Sequence, residues 1–450
     1  MLNLKNDPDE SKLPYHATPS SSTPDSSERI DETTDSSWTS PSERRMYKRL
    51  SVIRHDQQQI VWSSLHFQVG GAVLARRKLN IIVNAVPMTR IQTGIGRYLH
   101  CLYTELTRVC PDELNICYFD GSRLLDHLPA GPAFSLKWAC VTDVLWRLPT
   151  RAALSFRLME HYKNQMLFSH YAKGFDLYHE SGFFPFTTPR EVKTVFTIHD
   201  MSLARFPEHH PDERVRFFNL MFRRSLKYVD QFITVSDFSE TEIQHFLPET
   251  KPRICVTPLA CDTDFFYRRP PERTQATLKQ LNIPDTYFLF VGSGDPRKNC
   301  QLAARALETA APGIPLVIAG WNGWDTAPAP NILPVGYVDD DILAHLYSGA
   351  RALLHPSVYE GFGLTLLEAM ACGCPVIASH HGSLPEVAGN AVLYIHDLST
   401  PSELAARITQ LLNDPGLEKE MVQNGNERIR AFTWRRTAEK TRELFWRSAG

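Results

Sequence analysis

The stretch from His355 to Pro375 reads His-Pro-Ser-Val-Tyr-Glu-Gly-Phe-Gly-Leu-Thr-Leu-Leu-Glu-Ala-Met-Ala-Cys-Gly-Cys-Pro and decides the fold of the chain. The apolar run before it, 352–354, is typical of a short buried strand. A glycine turn follows, then a helix-patterned run from Leu364 to Cys372, and a second strand is expected from Pro375 to Ser379. Strand, turn, helix and strand in this order predict an α/β protein with a parallel sheet.

The glycine turn ahead of this helix suits an anionic ligand. Gly361 and Gly363 let the backbone approach a ligand closely, and the free N–H groups at the helix start favour phosphate. Glu368 lies about one turn inside the helix, where its carboxylate can accept hydrogen bonds from vicinal hydroxyls. Glu360 stands at the mouth of the turn. The alternative is an ordinary βαβ unit whose two acids form a solvated helix start.

The spacing of the two acids carries a family resemblance. Glu360 and Glu368 are separated by seven residues. The string around them resembles the Glu-x7-Glu signature of the retaining GT-B glycosyltransferases of family 4, and the match continues through 382–387. The resemblance implies an α/β, GT-B fold with two Rossmann-like, doubly wound domains that face an interdomain cleft. It also implies a C-terminal helix that returns to the first domain.

Length and composition agree with a globular protein of several domains. The 450 residues are too many for one ordinary domain and suit two or three. A formal net charge of −2 gives no electrostatic reason to expect nucleic acid as a partner. No apolar run approaches the ~20 residues of a membrane span, and the amino terminus lacks a secretory pattern. Nine cysteines without zinc or disulfide spacing predict reduced thiols and a cytoplasmic protein.

The chain divides into five predicted segments. Residues 1–75 are interpreted as a disordered, low-complexity extension, because Ser, Thr, Pro and acidic residues dominate its first half. A basic stretch at 44–54 with interleaved apolar residues suits peripheral contact with an anionic membrane, although a solvated linker explains it equally well. The remaining segments are an acceptor-side domain, 76–265, a linker, 266–282, a donor domain, 283–435, and a C-terminal helix, 436–450.

The first ordered segment opens with a buried strand, Lys78–Asn84, and a glycine turn. Gly94 and Gly96 stand in Gly-Ile-Gly-Arg-Tyr, and a helix is expected from there to about Val109. Strand, glycine turn and helix are the opening of a doubly wound half. The resemblance implies that Gly94 and Gly96 touch the diphosphate of the donor and line the acceptor cleft.

Another predicted strand, Lys193–Asp200, ends in His199 and Asp200. Ligands of open α/β sheets gather at the carboxyl ends of strands. A histidine at such a position is more often structural, but the resemblance implies that His199 bonds the donor sugar. Upstream, Ser122–Lys173 has a helical period and is interpreted as a lid-like or acceptor-side insertion.

Two cations follow the predicted strand Tyr287–Gly292. Arg297 and Lys298 lie in a glycine turn ahead of a helix, where charge-assisted hydrogen bonds suit a diphosphate. Ordinary surface cations are the alternative. The resemblance implies that this pair, with Gly294 beside it, neutralises the leaving nucleoside diphosphate, and that the base packs near Val338.

Two acidic or histidine-rich clusters invite a metal-binding interpretation. Asp339, Asp340 and Asp341 suggest an Asp-x-Asp motif, yet acids at a helix start satisfy free N–H groups without a metal. The consecutive residues 208–210, Glu-His-His, cannot all face one ion. We therefore expect neither a metal site nor a cofactor.

The resemblance implies metal-independent hexosyl transfer with retention. The catalytic residues would be His199, Arg297, Lys298 and Glu360, and Glu368 would hold the ribose of a sugar nucleotide. The full set of donor-binding residues is expected to be Gly94, Gly96, Gly294, Val338, Gly361, Phe362, Gly363, Leu364, Thr365 and Glu368. The favoured donor is GDP-mannose, and the expected acceptor is a lipid-linked oligosaccharide or a growing glycan, as in bacterial mannosyl- and rhamnosyltransferases of surface polysaccharide assembly.

Two alternatives stay open at this point. A different GT-B activity, using UDP- or dTDP-sugars, would share the same sheets. A non-catalytic scaffold that binds sugar nucleotides would normally have lost His199, Arg297, Lys298 or Glu360, and all four are present.

Overall fold

The computed structural model describes residues 77–89, 94–129, 149–320 and 331–450. The predicted extension, 1–75, with its basic stretch lies outside these ranges. The described residues belong to one compact unit that is built on two sheets. Within these ranges no helix is long and apolar enough to cross a membrane.

The strands of the first sheet lie in the amino-terminal half. They are β1 Leu79–Asn84, β2 Leu114–Phe119, β3 Leu124–Leu125, β4 Leu177–Glu180, β5 Lys193–Ile198, β6 Gln231–Thr234 and β7 Ile254–Val256. Their order is β3-β2-β1-β4-β5-β6-β7, and β3 pairs antiparallel with β2 while the other described pairs are parallel. Ile81, Ile82 and Val83 of the central β1 are fully buried, because a parallel sheet is covered on both faces.

The second sheet is parallel throughout its described pairs. Its strands are β8 Phe288–Val291, β9 Leu316–Ala319, β10 Ile332–Gly336, β11 Leu353–His355, β12 Val376–Ser379 and β13 Leu393–Ile395. In the order β10-β9-β8-β11-β12-β13, the chain adds strands on one side of β8 up to β10 and then on its other side from β11 to β13, so the strand order reverses between β8 and β11. Such a reversal opens a crevice at the carboxyl ends of the two strands. The expected pair of doubly wound sheets is thereby confirmed.

Helices cover both sheets. In chain order the described helices are α1 Val86–Thr89, α2 Gly94–Val109, α3 Thr150–Tyr171, α4 Ser202–Arg205, α5 Asp212–Ser225, α6 Asp237–Phe246, α7 Pro271–Gln280, α8 Cys300–Ala310, α9 Asp340–Gly349, α10 Leu364–Ala371, α11 Leu384–Ala388, α12 Ser402–Asn413, α13 Pro415–Arg428 and α14 Trp434–Ala449. α7 lies inside the predicted linker, 266–282, and its Thr274 bonds His345 of α9 at 3.1 Å. The segment boundaries stay predictions.

The last helix returns to the first sheet, as expected. α14 packs against α2, β4 and β5. The Thr437 hydroxyl donates to the carbonyl of Pro258 at 2.6 Å, and the Trp446 indole N–H donates to Glu113 at 3.2 Å. The carboxy-terminal segment is therefore bonded to the amino-terminal half.

The two sheets meet through loops at their carboxyl ends. The Gly361 carbonyl accepts hydrogen bonds from the hydroxyls of Ser236 and Ser239, at 2.6 and 2.9 Å. The Glu386 carboxylate accepts from the backbone N–H groups of Asp237 and Phe238 at the start of α6, at 3.0 and 3.1 Å. A carboxylate at a helix start is favoured by the free N–H groups and the helix dipole.

Gly361 has no room for a side chain at this junction. A Cβ added there would lie 2.1 Å from the carbonyl oxygen of His199. We expect Gly361→Ala to lower the free energy of unfolding by roughly 1–3 kcal/mol, because the two loops must move apart. Thermal and urea unfolding would measure the change.

Gly94→Ala is the matched control for this substitution. A Cβ at Gly94 meets no described atom within 4 Å, so its unfolding should stay within about 0.5 kcal/mol of wild type. If Gly361→Ala and Gly94→Ala lower the free energy of unfolding equally, the junction at Gly361 is not tightly packed.

Candidate active site

The turn after β8 positions two cations beside the acidic loop that follows β11. The Asp295 side chain accepts from the Arg297 backbone N–H at 3.0 Å and so caps the short 3₁₀ turn Pro296–Lys298. Lys298 Nζ then donates to Glu360 Oε1 at 2.5 Å. His355 Nε2 lies 3.1 Å from the same oxygen. Lys298 and Glu360, which the sequence assigned to one site, are in direct contact.

This arrangement fixes the charge on Glu360. Burial by itself raises the pKa of the carboxyl, but Lys298 and then His355 outweigh burial and hold the pKa well below its ordinary value of 4.5. Burial also lowers the pKa of His355, against the opposing effect of Glu360. Glu360 is thus an anion near neutral pH, suited to accepting hydrogen bonds from hydroxyls and poorly suited to accepting a proton.

Arg297 is oriented by its own loop. Its Nε lies 3.1 and 3.2 Å from the two carboxylate oxygens of Asp295, and its Nη2 lies 2.5 Å from Oδ2. A bidentate carboxylate holds the planar guanidinium in one orientation. Asp295 lies two residues before Arg297 in the same turn, and this short spacing is the sequence signal that could have indicated the pairing.

Glu368 is buried and is contacted by residues that the sequence analysis did not select. Arg97 of α2 donates to both Glu368 and Asp340, and the Tyr347 hydroxyl donates to Glu368 at 3.1 Å. Burial raises the pKa of Glu368, although Arg97 opposes it. The carboxylate expected to hold ribose is therefore paired with a cation from the amino-terminal half. The position of Arg97 in the glycine motif after β1 is the one sequence signal for its role.

The first sheet contributes His199, directly after β5. His199 Nε2 lies 2.8 Å from the Ser181 hydroxyl, and its ring packs edge-on against Tyr98 at 4.9 Å. Burial lowers the pKa of His199 to about 4, although Asp200 opposes the shift. The imidazole is therefore neutral near pH 7 and can donate one hydrogen bond and accept another.

A buried network supports the loop that bears Ser181. The Asn84 amide donates to both oxygens of Glu180 at 3.0 and 2.8 Å, and the N–H groups of Ser181 and Gly182 donate to Glu180 at 2.9 and 2.5 Å. Burial raises the pKa of Glu180, which these donors oppose. Glu180, which ends β4, was not among the predicted site residues.

The other predicted donor-binding residues occupy different environments. Gly94 is exposed in the first turn of α2, whereas Gly96 is buried and packs against the Pro87 carbonyl. The Phe362 ring lies in the core against Phe432, with ring centroids 5.7 Å apart. Gly363 has a φ of +99° immediately before α10, a conformation that favours glycine. Partly buried positions are held by Gly294, Val338, Leu364 and Thr365.

The three consecutive acids have separate structural partners. Asp339 caps α9 by accepting from the Ile342 N–H at 2.8 Å. Asp340 pairs with Arg97, and Asp341 pairs with Arg269 at 2.9 Å. In the described ranges, no group of three or more His, Cys, Asp or Glu residues has metal-binding geometry.

Comparisons with known proteins agree with this architecture. The model "Glycosyltransferase Family 4" matches residues 93–265, and "Glycosyl transferases group 1" matches residues 274–428. The chain is 32% identical over 381 residues to O-antigen chain mannosyltransferase B of Escherichia coli, covering 81% of this chain and 98% of that protein. It is 25% identical over 279 residues to the serotype-specific mannosyltransferase WbdA of Escherichia coli, covering 57% of this chain and 33% of WbdA.

A solved structure is similar in fold. Sucrose-phosphate synthase from Thermosynechococcus elongatus matches with a TM-score of 0.61 and 21% sequence identity. The match covers 82% of this chain and 99% of that one. At this identity the likeness shows the GT-B fold alone.

The Lys298–Glu360 pair predicts a pH-dependent contribution to stability. The pKa of Glu360 is depressed in the folded state, so the stabilisation is fully present above its ordinary value of 4.5 and is lost as pH falls through the folded value. We expect Lys298→Met to lower the free energy of unfolding by roughly 1–3 kcal/mol near pH 7. The difference from wild type should shrink below pH 4.5 in urea titrations.

Lys193→Met serves as the matched control. Lys193 pairs with Asp230 at 3.2 Å, but both side chains are more than a third exposed. An exposed pair of this kind contributes about 0–1 kcal/mol. If Lys193→Met lowers the free energy of unfolding as much as Lys298→Met does, the Lys298–Glu360 pair stabilises the fold no more than an exposed pair, which contradicts the prediction.

Proposed function

This chain belongs to glycosyltransferase family 4, and we propose that it transfers mannose from GDP-mannose to a lipid-linked or growing polysaccharide acceptor, with retention at the anomeric carbon. The observation that carries sugar transfer is the Arg297, Lys298 and Glu360 cluster at the reversal point of the second sheet. The choice of mannose rests on the O-antigen mannosyltransferase of Escherichia coli, which this chain matches over 98% of that protein's length. A lipid-linked acceptor would bring the protein to the cytoplasmic face of a membrane.

The leaving diphosphate is proposed to be neutralised by protein groups. Arg297 and Lys298 supply two cations, and the backbone N–H groups of Leu364 and Thr365 lie at the start of α10. Donors that are already oriented toward developing negative charge usually supply the largest part of catalysis. No metal ion is needed for this role.

Glu368 is proposed to bind the ribose. Its carboxylate already accepts from Arg97, but an ionised carboxylate has about four acceptor sites, so ribose hydroxyls would donate to the sites that remain. The Tyr347 hydroxyl, on the other carboxylate oxygen, would stay in place and keep the buried acid hydrogen-bonded. Arg97 would then keep its contact with Asp340.

The reaction is proposed to proceed on one face of the sugar. A bond forms between an acceptor hydroxyl oxygen and the anomeric carbon, while the bond from that carbon to the phosphate oxygen breaks. The bonding electrons remain on the diphosphate, which receives the proton of the acceptor hydroxyl. Glu360, held anionic by Lys298 and His355, would position the hydroxyls of the donor sugar, and His199 would bond the sugar from the opposite side.

Donor binding tests the assignment of the cations. We expect wild-type protein to bind GDP-mannose in calorimetry with a metal chelator present. Lys298→Ala should weaken binding about 10- to 100-fold, since a charged hydrogen bond contributes about 1.5–3 kcal/mol. Lys193→Ala, remote in sequence and exposed, should bind as the wild type does.

Several outcomes of that titration would contradict the proposal. Tighter binding of a UDP- or dTDP-sugar would show that GDP-mannose is not the donor. Failure of every sugar nucleotide to bind would exclude the site itself. If the donor binds only without chelator, binding depends on a metal ion, which the proposed mechanism does not use.

The stereochemistry has its own test. With GDP-α-mannose as donor, we expect an α-linked product, seen by NMR from the coupling between the anomeric proton and carbon. Front-face attack requires this outcome, because the bond forms on the face that the diphosphate leaves. A β-linked product would exclude retention, and binding without product on any tested glycan would favour the scaffold alternative.

A further inference from the structure

A cavity of about 180 Å³ opens beside the candidate active site, on the side of the first sheet. It lies where β5 ends, and loop residues from the second sheet close it. His199 and Arg297 both line the cavity, so it is continuous with the site described above. Its other lining residues with polar or aromatic side chains include Phe183, Asp200, His210, Arg214 and Asp295.

Arg214 presents a partly buried guanidinium to this cavity. It lies in the first turn of α5, with its guanidinium carbon 4.5 Å from the centroid of the Phe183 ring. The neighbouring Arg157 bonds the Glu213 carboxylate at 3.0 Å. The guanidinium of Arg214, by contrast, has no hydrogen-bonding partner among the described residues, although its backbone N–H donates to the carbonyl of Pro211. Burial, and next the charge of Arg157, lower its pKa to about 10, so it remains a cation near pH 7.

His210 adds two further polar atoms without partners. Both ring nitrogens are buried, and neither is hydrogen-bonded within the described part of the chain. Burial, followed by the charges of Arg297 and Arg214, lowers the pKa of His210 to about 4. The neutral ring offers one donor and one acceptor. Buried polar atoms that lack partners cost free energy, so a ligand that supplies the missing hydrogen bonds is favoured.

The mixture of groups selects the chemistry of the ligand. A phosphate would face the carboxylates of Asp200 and Asp295 across the same space. An apolar ligand would leave Arg214 and His210 unpaired. A sugar ring carries hydroxyls that donate and accept, and it has an apolar C–H face that can pack on Phe183. The volume suits one ring better than a chain of them.

We propose that this cavity is an acceptor subsite that binds the terminal hexose of the glycan. Arg214 donates to its hydroxyls, His210 donates to one hydroxyl and accepts from another, and Phe183 packs against the ring. The inference rests on the proposed transferase function, in which an acceptor oxygen must lie beside the anomeric carbon. The cavity meets this requirement because it shares His199 and Arg297 with the donor site.

Binding of small hexosides tests the subsite without knowledge of the full acceptor. Methyl α-mannoside, methyl α-glucoside and methyl α-galactoside would be titrated into protein saturated with GDP, with saturation-transfer NMR as the readout. We expect at least one to bind the wild-type protein. Arg214→Gln and His210→Gln should each weaken that binding about tenfold, since each loses hydrogen bonds to the hydroxyls. Calorimetry should show GDP affinity unchanged in both variants.

Arg216→Gln is the matched control, since Arg216 lies on the same helix but is exposed and pairs with Asp212. It should bind hexoside and GDP as the wild type does. Thermal unfolding would show whether Arg214→Gln or His210→Gln fails to fold. If one of them does, hexoside binding by the other variant still tests the subsite.

The outcomes separate this proposal from the proposed function. Unchanged hexoside binding in both variants, or no hexoside binding to GDP-saturated wild type, would overturn the subsite. Loss of GDP binding in the variants would place the residues in the donor site and also overturn it. If GDP fails to bind wild type, the proposed donor fails, yet Arg214-dependent hexoside binding still supports a sugar site.

Discussion

The structure depends on the neutralisation of two buried carboxylates, Glu360 and Glu368. An ionised carboxylate that is removed from water is stable only when cations or hydrogen-bond donors face it. Glu360 obtains its cation, Lys298, from the neighbouring turn of the same sheet. Glu368 obtains Arg97 from the other sheet. One acid therefore organises the site within a sheet, while the other ties the two halves of the chain together.

Much of the fold could be predicted because its signals are local. The buried strands are short apolar runs, and β1 and β5 lie within two residues of their expected bounds. The Glu-x7-Glu spacing places Glu360 on a loop and Glu368 inside a helix, as the structure shows. The helix start at residues 339–341 also follows from local rules, and Asp339 caps α9.

Other parts of the site could not be predicted from local patterns. Arg97 and Glu368 are 271 residues apart in sequence, and no periodicity indicates that they meet. No sequence pattern indicated Ser181, which contacts His199 because the strands β4 and β5 are neighbours in the sheet. The 22-residue helix α3 lies within Ser122–Lys173, a segment whose helical period was visible in the sequence but whose packing was not. Each of these contacts depends on which strands are neighbours, and that is a property of the whole sheet.

The return of α14 has a mechanical consequence. The chain crosses between the sheets twice, after β7 and again before α14, and the bond from Thr437 to Pro258 fastens the two crossings side by side. Two adjacent connections define a line, so the halves can rotate about that line more easily than they can slide or twist.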